Sequence, residues 1–143
     1  MSKKTQVMVG LLVAFAGLAM FWWPGYSRSY DYTLLKANMG DVEAQVDVAD
    51  RLHDGIDVPI DRKKAFLWFE KAANSGHGGA QEALGYYYLQ GVIGPINKGK
   101  AIEWYTKSAN QGYAPAQYAL GHLAEDAENH AEAFQWFEKA ARL

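Results

Sequence analysis

Residues 65–81 read AFLWFEKAANSGHGGAQ, and residues 101–117 read AIEWYTKSANQGYAPAQ, so nearly the same text returns after 36 positions. A third and shorter copy, WFEKAA, occupies residues 136–141. It follows the second copy after 32 positions, which indicates that a loop between Gly121 and Ala133 has lost four residues. Repeats of this length are typical of stacked helical hairpins. The chain is therefore predicted to be an array of similar units.

Each unit reads as two helices. In the second helix of the first copy, Ala65, Trp68, Phe69 and Ala72 occupy positions i, i+3, i+4 and i+7, which form one apolar stripe. In the first helices, alanine and glycine recur three to five positions apart and place small groups on one face. The predicted first helices are 42–53, 79–89 and 115–125, the predicted second helices are 62–75, 98–111 and 129–143, and a partial helix is predicted at about 29–39.

The ends of these helices carry their own signals. Asp61, Asn97 and Asn129 stand where an N-cap is needed, because their side chains accept hydrogen bonds from the first turn. Gly55 and Gly91 stand where first helices end, as C-cap glycines often do. We expect the tryptophans of the second helices to pack against the small residues of neighbouring first helices, because one helix pair alone cannot bury its apolar faces.

The repeated text resembles the Sel1-like repeat family, which is related to the tetratricopeptide repeats. The matching features are the Ala-Gln pairs at 44–45, 80–81 and 116–117, the run Leu84-Gly85-x-Tyr87-Tyr88-x-x-Gly91, and the block Ala-x-x-Trp-Phe/Tyr-x-Lys-Ala/Ser-Ala-x-x-Gly. The resemblance implies an all-α fold, a short right-handed α-solenoid of helix pairs. The predicted divisions are an N-terminal anchor at 1–25, a linker with a partial helix at 26–41, and repeats at 42–143, divided into 42–77, 78–113 and 114–143.

The N-terminal segment is predicted to be a single transmembrane helix. Residues 7–23 carry no charge, and their 17 residues would form a helix of about 26 Å, at the lower end of what spans a bilayer. Lys3 and Lys4 precede this segment, while Trp22 and Trp23 end it, so these four are the expected membrane-interface anchors. A cleaved secretory signal and a buried helix of a soluble domain are the alternatives.

Composition excludes several classes of function. The chain contains no cysteine, which rules out thiol catalysis, thiolate metal sites and disulfides. The net charge is −2, and Lys3 and Lys4 are the only charged side chains before Pro24, so the remainder carries −4. This balance does not favour nucleic-acid binding. No phosphate-binding loop, nucleophile elbow or zinc-protease motif is present, so we expect no enzyme, no cofactor, no metal site and no small-molecule substrate.

The candidate binding residues are those that vary between copies. Asp50, Tyr86 and His122 occupy one aligned position of the first helices, and Glu82 and Tyr118 share another. In stacked helix pairs the first helices line the inner curve, so this row is predicted to contact a partner, and exposed tyrosines suit recognition. Phe134 and Phe137 are added because the array stops in its last second helix, where an apolar face needs a cover.

The sequence therefore predicts a non-catalytic protein–protein interaction module, an accessory or scaffolding subunit of a bacterial membrane-associated complex. Its partners would be other subunits of that complex and the lipid bilayer, contacted through residues 7–23. Placement in the inner membrane is expected, with the N-terminus cytoplasmic and the repeats periplasmic. The alternatives are a periplasmic hydrolase-like Sel1 protein and a freely soluble secreted adaptor released by signal cleavage.

Overall fold

The structure, a computed structural model, describes residues 28–142, and this part of the chain is all-α and solenoid-like. The seven helices of this part are α1 (Arg28–Asn38), α2 (Val42–Asp54), α3 (Arg62–Asn74), α4 (Gly78–Gln90), α5 (Lys98–Ala109), α6 (Ala114–Asp126) and α7 (His130–Ala141). Each helix packs on the helices before and after it in the chain. The predicted order of a partial helix and three helix pairs is confirmed, and the right-handed twist stays a prediction.

The predicted N-caps of the second helices are confirmed. The side chains of Asp61, Asn97 and Asn129 accept hydrogen bonds from the backbone N–H groups three residues later, at 3.0, 3.0 and 3.3 Å. These bonds satisfy donors that have no partner within the helix. The three second helices therefore begin where the sequence indicates.

The predicted C-caps and the shortened loop are also observed. Gly55 and Gly91 end α2 and α4 in the left-handed conformation, with φ of 77° and 62°. A Cβ atom on Gly91 would lie 2.8 Å from the carbonyl oxygen of Gly94, so the turn has no room for a side chain. In the third repeat α6 ends at Ala127 with φ of −89°, and only residues 127–129 connect it to α7.

The expected packing of the tryptophans is wrong in one respect. A Cβ atom on Gly85 would lie 2.6 Å from the ring of Tyr105, and one on Gly121 would collide with the ring of Phe137. In the second and third repeats the residue after the tryptophan therefore packs on the glycine, while Trp68 and Trp104 lie partly buried at the edge of the core. The reason is geometric, because consecutive residues of a helix point about 100° apart.

Each tryptophan has a second contact that repeats along the array. The ammonium groups of Lys71, Lys107 and Lys139 lie over the rings of Trp68, Trp104 and Trp136, at 3.9, 3.9 and 4.1 Å from the ring centroids. A cation over an indole face is attracted by the ring quadrupole. The lysine of the repeated Trp-x-x-Lys pattern therefore covers the exposed face of the tryptophan.

The repeated glutamines join successive hairpins. The side-chain amides of Gln45, Gln81 and Gln117 each donate to a backbone carbonyl at the end of the preceding helix, at 3.2, 3.1 and 3.1 Å. All three side chains are buried. They satisfy carbonyl groups that the helix end leaves without an internal partner. The Ala-Gln pair is thus a structural feature of the stack.

The predicted anchor at residues 1–25, including Lys3, Lys4, Trp22 and Trp23, lies outside the described residues. Across residues 28–142, no helix combines the length and the apolar character needed to span a bilayer.

Candidate functional site

The first helices α2, α4 and α6 present two aligned positions, four residues apart, on one face. One position holds Asp50, Tyr86 and His122, and these three side chains are exposed. The other holds Val46, Glu82 and Tyr118. Residues four apart on a helix lie one above the other, so the two positions form adjacent rows. The site that sequence analysis predicts is thus a real surface, but its members form two separate groups.

The first group lines a groove between α2 and α4. The groove is an open cavity with a volume of about 190 Å³. Its lining residues are Asp50, His53, Phe69, Glu82, Ala83, Tyr86 and Tyr87. Three predicted residues, Asp50, Glu82 and Tyr86, are therefore brought together. Phe69 is buried and comes from α3, the helix between the other two in the chain. We call this site the acidic groove.

Two residues of the acidic groove, His53 and Tyr87, are joined by a hydrogen bond that crosses from α2 to α4. The Tyr87 hydroxyl lies 2.7 Å from His53 Nδ1, and the tautomer of the imidazole decides which atom donates. Burial raises the pKa of the Tyr87 hydroxyl to about 12, so it stays protonated at neutral pH. Tyr86 lies edge-on to the His53 ring, with 6.4 Å between the ring centroids. This bond fixes the distance between the two walls of the groove.

The two carboxylates of the acidic groove are held in an unfavourable environment. Partial desolvation raises the pKa of Asp50, and the nearby carboxylates of Asp54 and Asp47 raise it further, while His53 and His77 lower it. Burial alone raises the pKa of Glu82, which is half-buried on α4. Within residues 28–142, neither carboxylate forms an ion pair or a hydrogen bond, and no lysine or arginine lines the cavity. The groove therefore holds two carboxylates without an ion-pair partner.

The second group lies at the C-terminal end of the array. Phe137 on α7 packs against Tyr118 and His122 of α6, with ring centroids 5.6 and 5.1 Å apart. His122 Nδ1 lies 3.2 Å from a carboxylate oxygen of Glu125. Phe134, one turn before Phe137, is 68% exposed. An aromatic cluster apart from the acidic groove is thus formed by Tyr118, His122 and Phe137. Phe134 on α7 is largely exposed to solvent.

Sequence reasoning missed three members of the acidic groove: His53, Phe69 and Tyr87. The position of His53, three residues after Asp50, offered a signal, because such residues share a helix face. Tyr87 belongs to the run that matches the family pattern, and its ring is buried, at 1% exposure. Its hydroxyl reaches the groove only because α4 packs on the preceding hairpin, at a sequence separation of 34 from His53.

The side chains that line the groove are not suited to metal binding or to nucleophilic catalysis. In the region from residue 28 to residue 142, no three or more histidine or carboxylate side chains converge in a way that could hold a metal ion. The residues that line the cavity include no serine, threonine or cysteine. Two carboxylates beside aromatic rings are suited instead to binding a positively charged group.

Comparison with known proteins agrees with the repeat pattern. The Sel1 repeat profile matches residues 42–77, 79–113 and 114–143. A search of curated proteins found no match. Several solved structures are similar to the chain, and two of them are described here.

The first is a protective antigen present in uropathogenic Escherichia coli strains, which displays an SLR fold. It is 35% identical with a TM-score of 0.77, over 80% of this chain and 26% of the antigen. The chain thus spans about a quarter of that protein's length.

The second is a Sel1 repeat protein from Oxalobacter formigenes, 30% identical with a TM-score of 0.71, over 81% of this chain and 90% of that protein. Three matched repeats and this likeness in both sequence and fold agree with the hairpin stack described above. The chain therefore belongs to the Sel1 repeat family, whose members generally serve as protein-interaction modules.

Proposed function

We propose that the chain is a non-catalytic interaction module that binds a protein partner through the acidic groove, as an accessory or scaffolding subunit of a bacterial membrane-associated complex. The observation that carries this proposal is the groove itself. Asp50 and Glu82 face one cavity without an internal partner, and Tyr86 beside them is 43% exposed. A polar group that is partly desolvated and has no partner lowers the stability of the protein. A bound group that pairs with it can offset this cost.

Tethering is the proposed mechanism of action. If residues 7–23 span the inner membrane and the repeats lie in the periplasm, the acidic groove is confined close to the membrane surface. Confinement raises the effective concentration of the groove for a partner in the same membrane, so a modest intrinsic affinity is sufficient. The apolar composition of residues 7–23 and the preceding Lys3 and Lys4 support this arrangement.

Site-specific photo-crosslinking tests the binding surface. A photoreactive amino acid replaces Tyr86 in the acidic groove, and in a matched control it replaces Glu103, which is exposed on α5. The full chain is irradiated in its native membrane. We expect a discrete adduct from position 86 that weakens when Glu82 and Asp50 are changed to Gln and Asn, and no such adduct from position 103. Equal labelling from both positions, or none from either, would overturn the proposed binding surface.

A separate measurement tests the tether. The mass of the membrane-extracted chain should equal that of the full 143 residues, and the protein should resist extraction by alkaline carbonate. Protease added to the periplasmic side should digest the repeats. A mass lower by the whole N-terminal segment would show instead a cleaved signal and a freely soluble adaptor.

A further inference from the structure

Several acidic side chains close to the acidic groove have a lysine or arginine partner of their own. Asp47 and Asp57 each lie 2.8 Å from the guanidinium of Arg51, and Asp61 lies 3.1 Å from the ammonium of Lys64. Asp50 and Glu82 have no such cation within the described residues, although both face the same cavity. Two carboxylates that line one cavity are thus left without a lysine or arginine partner.

The walls beside these carboxylates are suited to a cation with an apolar stem. Tyr86 and Tyr87 contribute aromatic rings to the cavity, and buried Phe69 contributes a third. Ring faces attract ammonium and guanidinium groups, and the methylene stem of a long basic side chain packs on them. The same chain already uses this contact where Lys71 covers Trp68 at 3.9 Å.

The size of the cavity limits what it can hold. Its volume is about 190 Å³. Sites for drug-sized ligands occupy roughly 300–1,000 Å³, so the groove is small for such a molecule and suited to a single side chain. A metal ion is disfavoured because His53 Nδ1 is engaged by the Tyr87 hydroxyl at 2.7 Å, and no metal-binding group is found within the described residues.

We propose that the acidic groove binds one basic side chain, a lysine or an arginine, presented by the protein partner. The charged end would lie between Asp50 and Glu82, and the stem would pack on Tyr86. This inference rests on the proposed function and adds the chemistry of the partner.

Peptide binding tests the proposal on the full chain in a non-ionic detergent. The probe is a fluorescein-labelled peptide with four lysines spaced by Gly-Ser, and its fully Nε-acetylated form serves as the uncharged control. Binding is followed by fluorescence anisotropy at about 0.15 M salt, where distant charges are screened, and at neutral pH. We expect the lysine peptide to bind at least about tenfold more tightly than its acetylated form, because charge pairs carry the interaction.

Two matched variants separate the groove from general attraction to an acidic protein. Asp50→Asn with Glu82→Gln should weaken binding of the lysine peptide by about tenfold, as expected when charge partners are removed. Glu103→Gln with Asp126→Asn removes the same charge from exposed positions on α5 and α6 and should change binding by less than about twofold, because long-range attraction is screened. Unchanged helical circular dichroism verifies that both variants are folded.

Two outcomes would overturn the inference: equal losses in the two variants, or equal binding of the lysine and acetylated peptides. These outcomes can be distinguished from failure of the proposed function. If Tyr86 still yields its specific crosslink while the lysine peptide does not discriminate, the groove binds a partner through other chemistry. If the lysine peptide behaves as expected but position 86 gives no adduct in the membrane, the interaction role fails and the chemistry of the groove stands.

Discussion

Gly85 marks a close approach of the two helices of the second repeat. A Cβ atom there would lie 2.6 Å from the Tyr105 ring, and Tyr105 is itself buried. Burial raises the pKa of the Tyr105 hydroxyl well above its ordinary range, which agrees with a ring held away from solvent. At this position the absence of a side chain is what lets α4 and α5 meet.

Gly85→Ala is therefore expected to destabilise the protein. Alanine is intrinsically better than glycine in a helix by about 1 kcal/mol, but overpacking a core typically costs 1–3 kcal/mol, so a net loss of about 1 kcal/mol is expected. Urea unfolding measures the change. The control is Gly99→Ala in the first turn of α5, where the nearest atom to a new Cβ lies 3.5 Å away and a small gain is expected. Equal effects at the two glycines would contradict the packing argument.

Glu82 illustrates the cost of an unpaired carboxylate. Because burial raises its pKa, the folded protein binds this proton more tightly than the unfolded chain does. Stability therefore falls as pH rises through the interval between the two pKa values, and it stays lower at neutral pH. A cation bound beside Glu82 would stabilise the ionised carboxylate and would offset this loss of stability.

Glu82→Gln should accordingly raise the free energy of unfolding at pH 7, by an amount on the order of 0.5 kcal/mol. The gain should disappear near about pH 3, where the carboxyl is protonated in both states. Thermal unfolding at the two pH values measures this gain. Glu103→Gln, at an exposed position of α5, serves as a control with no expected change. A gain that persists at low pH would show that the effect does not come from ionisation.

At the scale of elements, the buried glutamines connect one hairpin to the next, and their connections differ. The Gln81 amide donates to the carbonyl of Ala73, and its oxygen accepts from the Gln111 amide, in the turn after α5, at 2.7 Å. The oxygens of Gln45 and Gln117 are buried without a hydrogen-bond partner in the described structure. Gln81 thus joins α3, α4 and the turn after α5, whereas each of the other two joins only two helices.

Gln81→Met should cost more stability than Gln45→Met. Both changes leave a helix-end carbonyl without its donor, and an unsatisfied buried group costs about 1–3 kcal/mol. The Gln45 change also removes an orphaned oxygen, so its loss should be smaller by about 1 kcal/mol. Urea unfolding of the two variants gives the comparison directly. A larger loss for Gln45→Met would contradict the hydrogen-bond accounting.

At the scale of the whole molecule, the array is a row of hairpins that each contact mainly their neighbours. The buried apolar residues form two clusters, one from Tyr30 to Tyr87 and one from Ala101 to Leu120. Tyr88 packs on both clusters. The last helix, α7, buries only Ala133 and Ala140 among its described residues. In such an array the stability of each unit depends on its contacts with its neighbours, so a helix that buries few side chains is expected to open most easily.

Hydrogen exchange should reveal this gradient. Backbone amides in α7 are expected to exchange at least about tenfold faster than those in α4, since sparse burial lowers the free energy of local opening. Mass spectrometry of peptides from residues 130–141 and 78–90, at neutral pH, measures the two rates. Equal protection of both helices would indicate that the whole array opens as one unit.

The sequence by itself determined the helices and their order. The 36-residue spacing, the caps Asp61 and Asn97, and the glycines at 55 and 91 are local signals, because capping and turn conformation depend on a few neighbouring residues. The small residues on the first helices also indicated close packing. These features are encoded within one repeat and therefore recur visibly along the chain.

Only the tertiary structure decided which side chains meet across the repeats. It placed Tyr105 on Gly85, joined His53 to Tyr87, and divided the predicted binding row into an acidic groove and an aromatic cluster. Such contacts depend on the rotation and spacing of helices that lie some thirty residues apart in the chain. Local propensity carries no information about that rotation, because it is set by how the buried side chains of one hairpin fit against the next.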